Sequence, residues 1–273
     1  MLPNEFTTKH HIKLTSEEDV LCRQALVIMS QSVDQFHDSS HVHRMLGYLD
    51  EFIRTDEFQR IAHKTNVKII FIAILWHDCW RADKDPKHSM SLVWLTLYEG
   101  VGASRYFSQF AHKAGIDPEL HAAVKYVIRK HSRFQLFPIN TCEAKILRLV
   151  DTLDMFNPDR TYLLKRKYFL EQPITLSTYR AGKLGLRIFG KKNPKAIHDF
   201  EWSQKISTLR PMYISHGYQL LDEYKILCDL LRNQQFKEFE HYLNRLREKY
   251  LESPDPPSEA IYAFAPQTIK HQL

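Results

Sequence analysis

The chain has 273 residues, 44% hydrophobic and 26% charged, the composition of an ordinary packed globular protein. Only 8 glycines occur, which argues against a fold rich in tight turns and β-hairpins and moves the prior to helices. The formal net charge is +6, but residues 160–195 hold ten Lys/Arg against the single acid Glu171, so that stretch carries +9 and leaves −3 on the remainder.

In chain order, the N-terminal stretch MLPNEFTTKHHIKL is polar and has no apolar core of a secretory signal. Thr15-Ser16-Glu17-Glu18 reads as a helix N-cap with acids in the first turn. The helix is expected to run to about Phe36, with Val20, Leu21, Ala25, Ile28 and Met29 inward. Asp38-Ser39-Ser40 caps a second helix from near His41, which buries Val42, Met45, Leu46, Leu49 and Phe52. Residues 66–77 form a third, apolar nearly all round and therefore central. Its apolar run, Val67 to Trp76, is far short of the ~20 residues of a membrane span. Asp85-Pro86 marks a break before a helix from near His88, interrupted at Gly100 and Gly102 and continued over 103–115. Asp117-Pro118-Glu119 opens the next helix, with Pro in its first turn, ending near His131. Another spans Glu143 to Met155, with Ile146, Leu147, Val150 and Leu153 inward.

Asn157-Pro158-Asp159 then breaks the pattern, and the basic stretch follows. It reads as a short helix and a loop, with a small hairpin around 174–189. Helices resume over 197–217, 217–233 and 234–251. The tail from 253 holds four prolines and is expected to be poorly ordered unless it docks. Cys22, Cys79, Cys142 and Cys228 form no CxxC pair, which excludes a zinc knuckle and offers no disulfide framework. Reduced thiols and a cytoplasmic location are the expectation.

Two stretches carry chemistry. FHDSSHVHRML (36–46) holds His37, His41 and His43, and IIFIAILWHDCWRAD (69–83) runs an apolar helix into His77-Asp78. Later, Asp151 lies on an apolar helix in RLVDTLDMF, where a buried carboxylate without a partner is costly. A His-Asp pair alone is common, and His41 alone can be a capping or surface residue. The ordered set His…His-Asp…Asp, all on helical segments, favours a metal site. Asp154 either supports that site or faces solvent. His43, His112, His121, His198 and His216 read as ordinary surface or half-buried histidines.

This pattern resembles the HD-domain superfamily of metal-dependent phosphohydrolases, over roughly residues 20–160. The resemblance implies an all-α HD-domain helical bundle (1–160), followed by a basic insertion and a C-terminal helical extension (161–252). It implies that His41, His77, Asp78 and Asp151 bind metal and that His37 is a candidate general acid. His88 and His131 match two further histidines that bind a second ion in some branches, with Asp78 bridging. Arg81 falls where many members carry a lysine, and Cys-Trp stands in place of the small residues that follow the HD pair. The cofactor is then one or two divalent ions (Mn, Fe, Co, Ni, Zn or Mg) at a mixed N/O site. A metal-bound hydroxide attacks phosphorus in a nucleotide or other phosphate ester. Arg81, Arg160 and Lys165 are the candidate contacts to this small anionic substrate. Two rivals stay open: a di-iron oxygenase of the same fold, and a non-catalytic module for nucleotide or nucleic acid built on the basic segment. Nucleic acid is the less favoured partner, no membrane is expected, and a homo-oligomer stays open.

Overall fold

The computed structural model describes residues 1–34, 36–84, 89–132, 138–154, 157, 160, 226, 229, 230 and 233–252. Among them every regular element is a helix, so the chain is all-α as its composition suggests. In order these are α1 (Pro3–Lys9), α2 (Ser16–Ser30), α3 (Ser39–Ile53), α4 (Asp56–Ile61, prolonged by a 3₁₀ turn over Ala62–Lys64), α5 (Val67–Trp76), α6 (Ser89–Ala114), α7 (Pro118–His131), α8 (Cys142–Asp154) and α9 (Phe236–Glu252).

Most starts are written in side chains that satisfy the first free N–H groups of a helix. Thr15 accepts from the Glu18 N–H, and the Glu18 carboxylate returns to the Thr15 N–H at 2.8 Å, closing a capping box. Asp38 accepts from the His41 N–H at 3.1 Å. Asn66 caps α5 through the Lys68 N–H, and Asp117 caps α7 just ahead of Pro118.

Helix α5 is the axle. Ile70 through Trp76 are consecutively buried, because α2, α3, α7 and α8 all pack on it. A helix covered on every side cannot carry a polar stripe, and its sequence has none. Its C-terminus therefore emerges inside the bundle, with α3 and α8 beside it.

Four details differ from expectation. Helix α2 stops at Ser30 instead of about Phe36, and Val20 is 49% exposed while Cys22 takes an inward place. Residues 32–34 and 36 leave the helix instead. Ser32 Oγ accepts from the Asp34 N–H, Asp34 Oδ1 accepts from the Phe36 N–H, and Val33 N–H reaches Ala82 O at 2.8 Å. Such local bonds compete with a helix, and here they swing Asp34 and His37 inward. Gly100 and Gly102 do not interrupt α6, which is continuous. A Cβ on Gly100 would stand 2.5 Å from Arg129 O of α7, and one on Gly102 2.5 Å from the Trp80 ring. These glycines are therefore closely packed contacts within a helix, not breaks. Finally, α1 and α4 were not foreseen. Helix α1 is too short to stand alone. It is held by Phe6, stacked 5.8 Å from Phe71, and by Lys9, whose amine lies 2.9 Å from Asp50.

The hairpin at 174–189, the helix at 197–217, most of 217–233, the division near 160 and the tail from 253 lie outside the described residues, as do His88 and Lys165.

Candidate metal centre

Three helix ends converge. His41 sits in the first turn of α3, positioned by the Asp38 cap. His77 closes α5 with its N–H on Ala73 O at 2.9 Å, and Asp78 follows in a turn. Asp151 comes from the last turn of α8. Side chains on adjacent helical residues diverge by about 100°, and ending the helix at His77 removes that restriction. His77 Nε2 then lies 3.1 Å from Asp78 Oδ2. His41 Nε2 lies 3.2 Å from His77 Nε2, 3.3 Å from Asp78 Oδ2 and 3.6 Å from Asp151 Oδ1. Donors each about 2.1 Å from a common ion stand about 3.0–3.4 Å apart, so these spacings suit one cation. His41, His77 and Asp151 form one group with ligand atoms all within 4.8 Å of one another.

The imidazoles are held in a single sense. His41 Nδ1 donates to Asp154 Oδ2 at 2.6 Å, His77 Nδ1 to Ile74 O at 2.8 Å, His131 Nδ1 to Ile128 O at 2.5 Å and His37 Nδ1 to Asp34 Oδ2 at 2.8 Å. In each neutral ring the proton is at Nδ1 and the Nε2 lone pair faces the centre. Two neutral lone pairs 3.2 Å apart, as at His41 and His77, repel unless a cation lies between them.

Without a metal that cation is a proton. Burial depresses the His77 imidazole, but the Asp78 and Asp151 carboxylates outweigh it and push its pKa up to about 9. Burial raises the Asp78 carboxyl, yet the protonated His77 ring beside it holds it well below the ordinary carboxylate range. The same burial acts on Asp151, where Arg160 and His77 prevail and hold it low. His37 is lowered by burial and by the Arg81 charge. It is therefore neutral at pH 7 and lacks the extra proton that a general acid needs.

Asp154 is fully buried and faces the site's outer shell rather than solvent. It accepts from His41, from Arg44 Nε at 2.6 Å and Nη2 at 3.1 Å, and from Arg160 Nη1 at 3.0 Å. The 3.1 Å between Arg160 Nη1 and His41 Nδ1 is the separation of two donors sharing one acceptor. Arg160 also stands 3.6 Å from Asp151 Oδ1, and its Nη2 is 3.4 Å from His37 Nε2.

Arg81 is placed otherwise than a substrate contact would be. It is 4% exposed, with Nη1 on Glu99 Oε1 at 2.8 Å and Nη2 on Asp34 Oδ2 at 3.1 Å. Both terminal nitrogens carry a carboxylate already, so the expectation that Arg81 grips phosphate gives way to a positioning role. Glu99 and Asp34 were missed by sequence reasoning. The available signal was Glu99 as the lone acid in the apolar helical run SLVWLTLYEGVGA, a place where a carboxylate needs a partner. His131 lies inside the cluster, 3.8 Å from Asp78 Oδ1.

No family model matches this chain, and neither a curated protein nor a solved structure matches it.

Proposed function

We propose that the protein is a divalent-metal-dependent phosphohydrolase of the HD-domain type, acting on a nucleotide or another small phosphate ester. One observation carries the reading: the Nε2 atoms of His41 and His77 are aimed at each other and at Asp78 and Asp151 with both Nδ1 protons already committed. The order His, His-Asp, Asp along the chain agrees with it.

The residues fit a borderline divalent ion, since imidazole and carboxylate together suit Mn, Fe, Co, Ni or Zn. His41, His77, Asp78 and Asp151 are its ligands. Bound there, such an ion lowers the pKa of a coordinated water toward neutrality and polarises a phosphoryl oxygen. The chain supplies the rest. Asp154 and Ile74 O fix the ligand tautomers, a contribution typically worth 10–100-fold in metal affinity or activity. Arg160, buried against Asp154, Asp151 and His37, braces the site as Arg81 does, and the basic stretch from 160 to 195 favours an anionic substrate. Arg81 holds Asp34 and Glu99 in place.

The test is elemental analysis of purified protein, paired with a phosphatase screen against nucleotides in added Mn, Co and Ni. Asp78→Ala is expected to abolish both bound metal and hydrolysis while the far-ultraviolet circular dichroism stays helical. Full activity in that variant overturns the assignment. Two irons with oxygen consumption and no phosphatase activity would turn it toward the oxygenase chemistry of the same fold.

A further inference from the structure

Helix α6 has a second face that the metal cluster does not use. Glu99 turns inward to Arg81, while its neighbour Tyr98 turns out and is 56% exposed. Trp94, one helical turn earlier, is also 56% exposed, with its ring centre 6.1 Å from that of Tyr98. Side chains four residues apart share a helix face, so the two rings form one wall. The turn after α5 supplies another. Trp80 lies against α6 at Gly102, where a Cβ would stand 2.5 Å from the indole. Trp80, Trp94, Tyr98, Tyr106 and Arg105 line a cavity of about 660 Å³. That volume suits a small ligand, and a contiguous exposed aromatic patch marks a binding surface.

The charge around this cavity is one-sided. Among the described residues that line it there is no carboxylate. Lys84 sits 4.5 Å from the centre of the Trp80 ring, but Asp83 pairs with it at 2.7 Å. Arg105 is exposed and makes no hydrogen bond or ion pair with a described residue. These features define the ligand. Aromatic walls take a flat ring, offset-stacked or edge-on. A guanidinium takes a carboxylate through two parallel N–H···O bonds, and one free cation matches one negative charge. A second copy of the chain fits poorly. In a two-fold contact the same patch meets itself, which sets Arg105 against its own copy with no acid in the patch to separate them.

We propose that this cavity binds a small, flat aromatic carboxylate, its ring among Trp80, Trp94, Tyr98 and Tyr106 and its carboxylate on Arg105. The cavity shares no residue with the metal cluster, and the proposal does not rest on the metal reading.

The probe is naphthoate, titrated calorimetrically into the full chain beside naphthylmethanol, which has the same ring and no charge. The wild type is expected to bind one naphthoate per chain and the alcohol about tenfold more weakly. Arg105→Gln is expected to weaken naphthoate about tenfold and leave the alcohol unchanged. Trp94→Ala is expected to weaken both about tenfold. Both substituted side chains are exposed, so the helical circular dichroism and metal content stay as in the wild type. No saturable binding by the wild type overturns the proposal, as does naphthoate binding that either variant leaves unchanged. Sedimentation velocity reads the rival occupant: a wild-type dimer that Trp94→Ala converts to a monomer assigns the face to a second copy and overturns the ligand site.

Discussion

Two buried carboxylates in this protein each collect three basic side chains, two of them charged and one a histidine, and they do different things. Asp50 of α3 holds Lys9 at 2.9 Å, His10 at 2.9 Å and Arg54 at 2.7 Å, and so staples α1 to α3. Asp154 of α8 holds His41, Arg44 and Arg160. The contrast lies in the partners' solvation. The Lys9 and Arg54 side chains are 37% and 45% exposed, whereas those of Arg160 and His41 are 7% and 0% exposed. Hydrated partners can return to water when the pair breaks, so each contact is worth little. Partners sealed in the interior have no such alternative. His41 also has its other nitrogen in the cluster with His77, Asp78 and Asp151, so whatever moves Asp154 moves that cluster.

Substituting the two carboxylates breaks the comparison most directly. Asp154→Asn leaves Arg44 and Arg160 facing a neutral amide and frees the His41 ring. The expected loss is about 3–5 kcal/mol of stability, together with a 10–100-fold fall in metal affinity. Denaturant unfolding and metal titration read the two effects separately. Equal stability loss in Asp154→Asn and Asp50→Asn would show that solvation does not distinguish the sites.

A smaller effect comes from pH. In the metal-free protein the His77 pKa is raised to about 9, above the ordinary value near 6.5. Its protonated ring therefore stabilises the metal-free fold fully below about pH 6.5, and this contribution is lost as pH rises through about 9. A metal ion must displace that proton, so apparent affinity is expected to rise about tenfold from pH 7 to pH 8. Calorimetric titration at the two pH values, with the proton released read from the buffer dependence, checks the sign. A flat profile would place the cation elsewhere.

The smallest expected change is at the staple. Asp50→Asn should cost about 1 kcal/mol or less, visible as a small shift in thermal midpoint, with metal content unaltered.

That His41, His77, Asp78 and Asp151 come together was legible in the sequence, because buried imidazole and carboxylate groups need partners. A run as apolar as IIFIAILW ending in His-Asp has few uses, and Asp151 on the inward face of α8 needed a partner. Other parts were not legible. Asp154 stood three residues on from Asp151 with either a structural or a solvent role open to it, and nothing local chose between them. Glu99 lies 18 residues from its partner Arg81, and Asp34 lies 47. No periodicity connects positions that meet only when α6 packs across the turn after α5. Gly100 and Gly102 misled for the same reason. Glycine lowers helix propensity, but here the missing Cβ serves a neighbouring backbone and an indole ring.

The sequence by itself determined that the chain is helical, where most of its longer helices begin and which helix is central, because caps and hydrophobic periodicity act over a few residues. Only the tertiary structure decided that α5 ends inside the bundle, that Asp154 and Arg81 turn away from solvent to hold other side chains, and that His131 Nε2 is left without a partner beside Asp78 and Glu99. These are contacts between distant segments, fixed by how the helices pack and by the cost of leaving a charge unpaired in a dry interior.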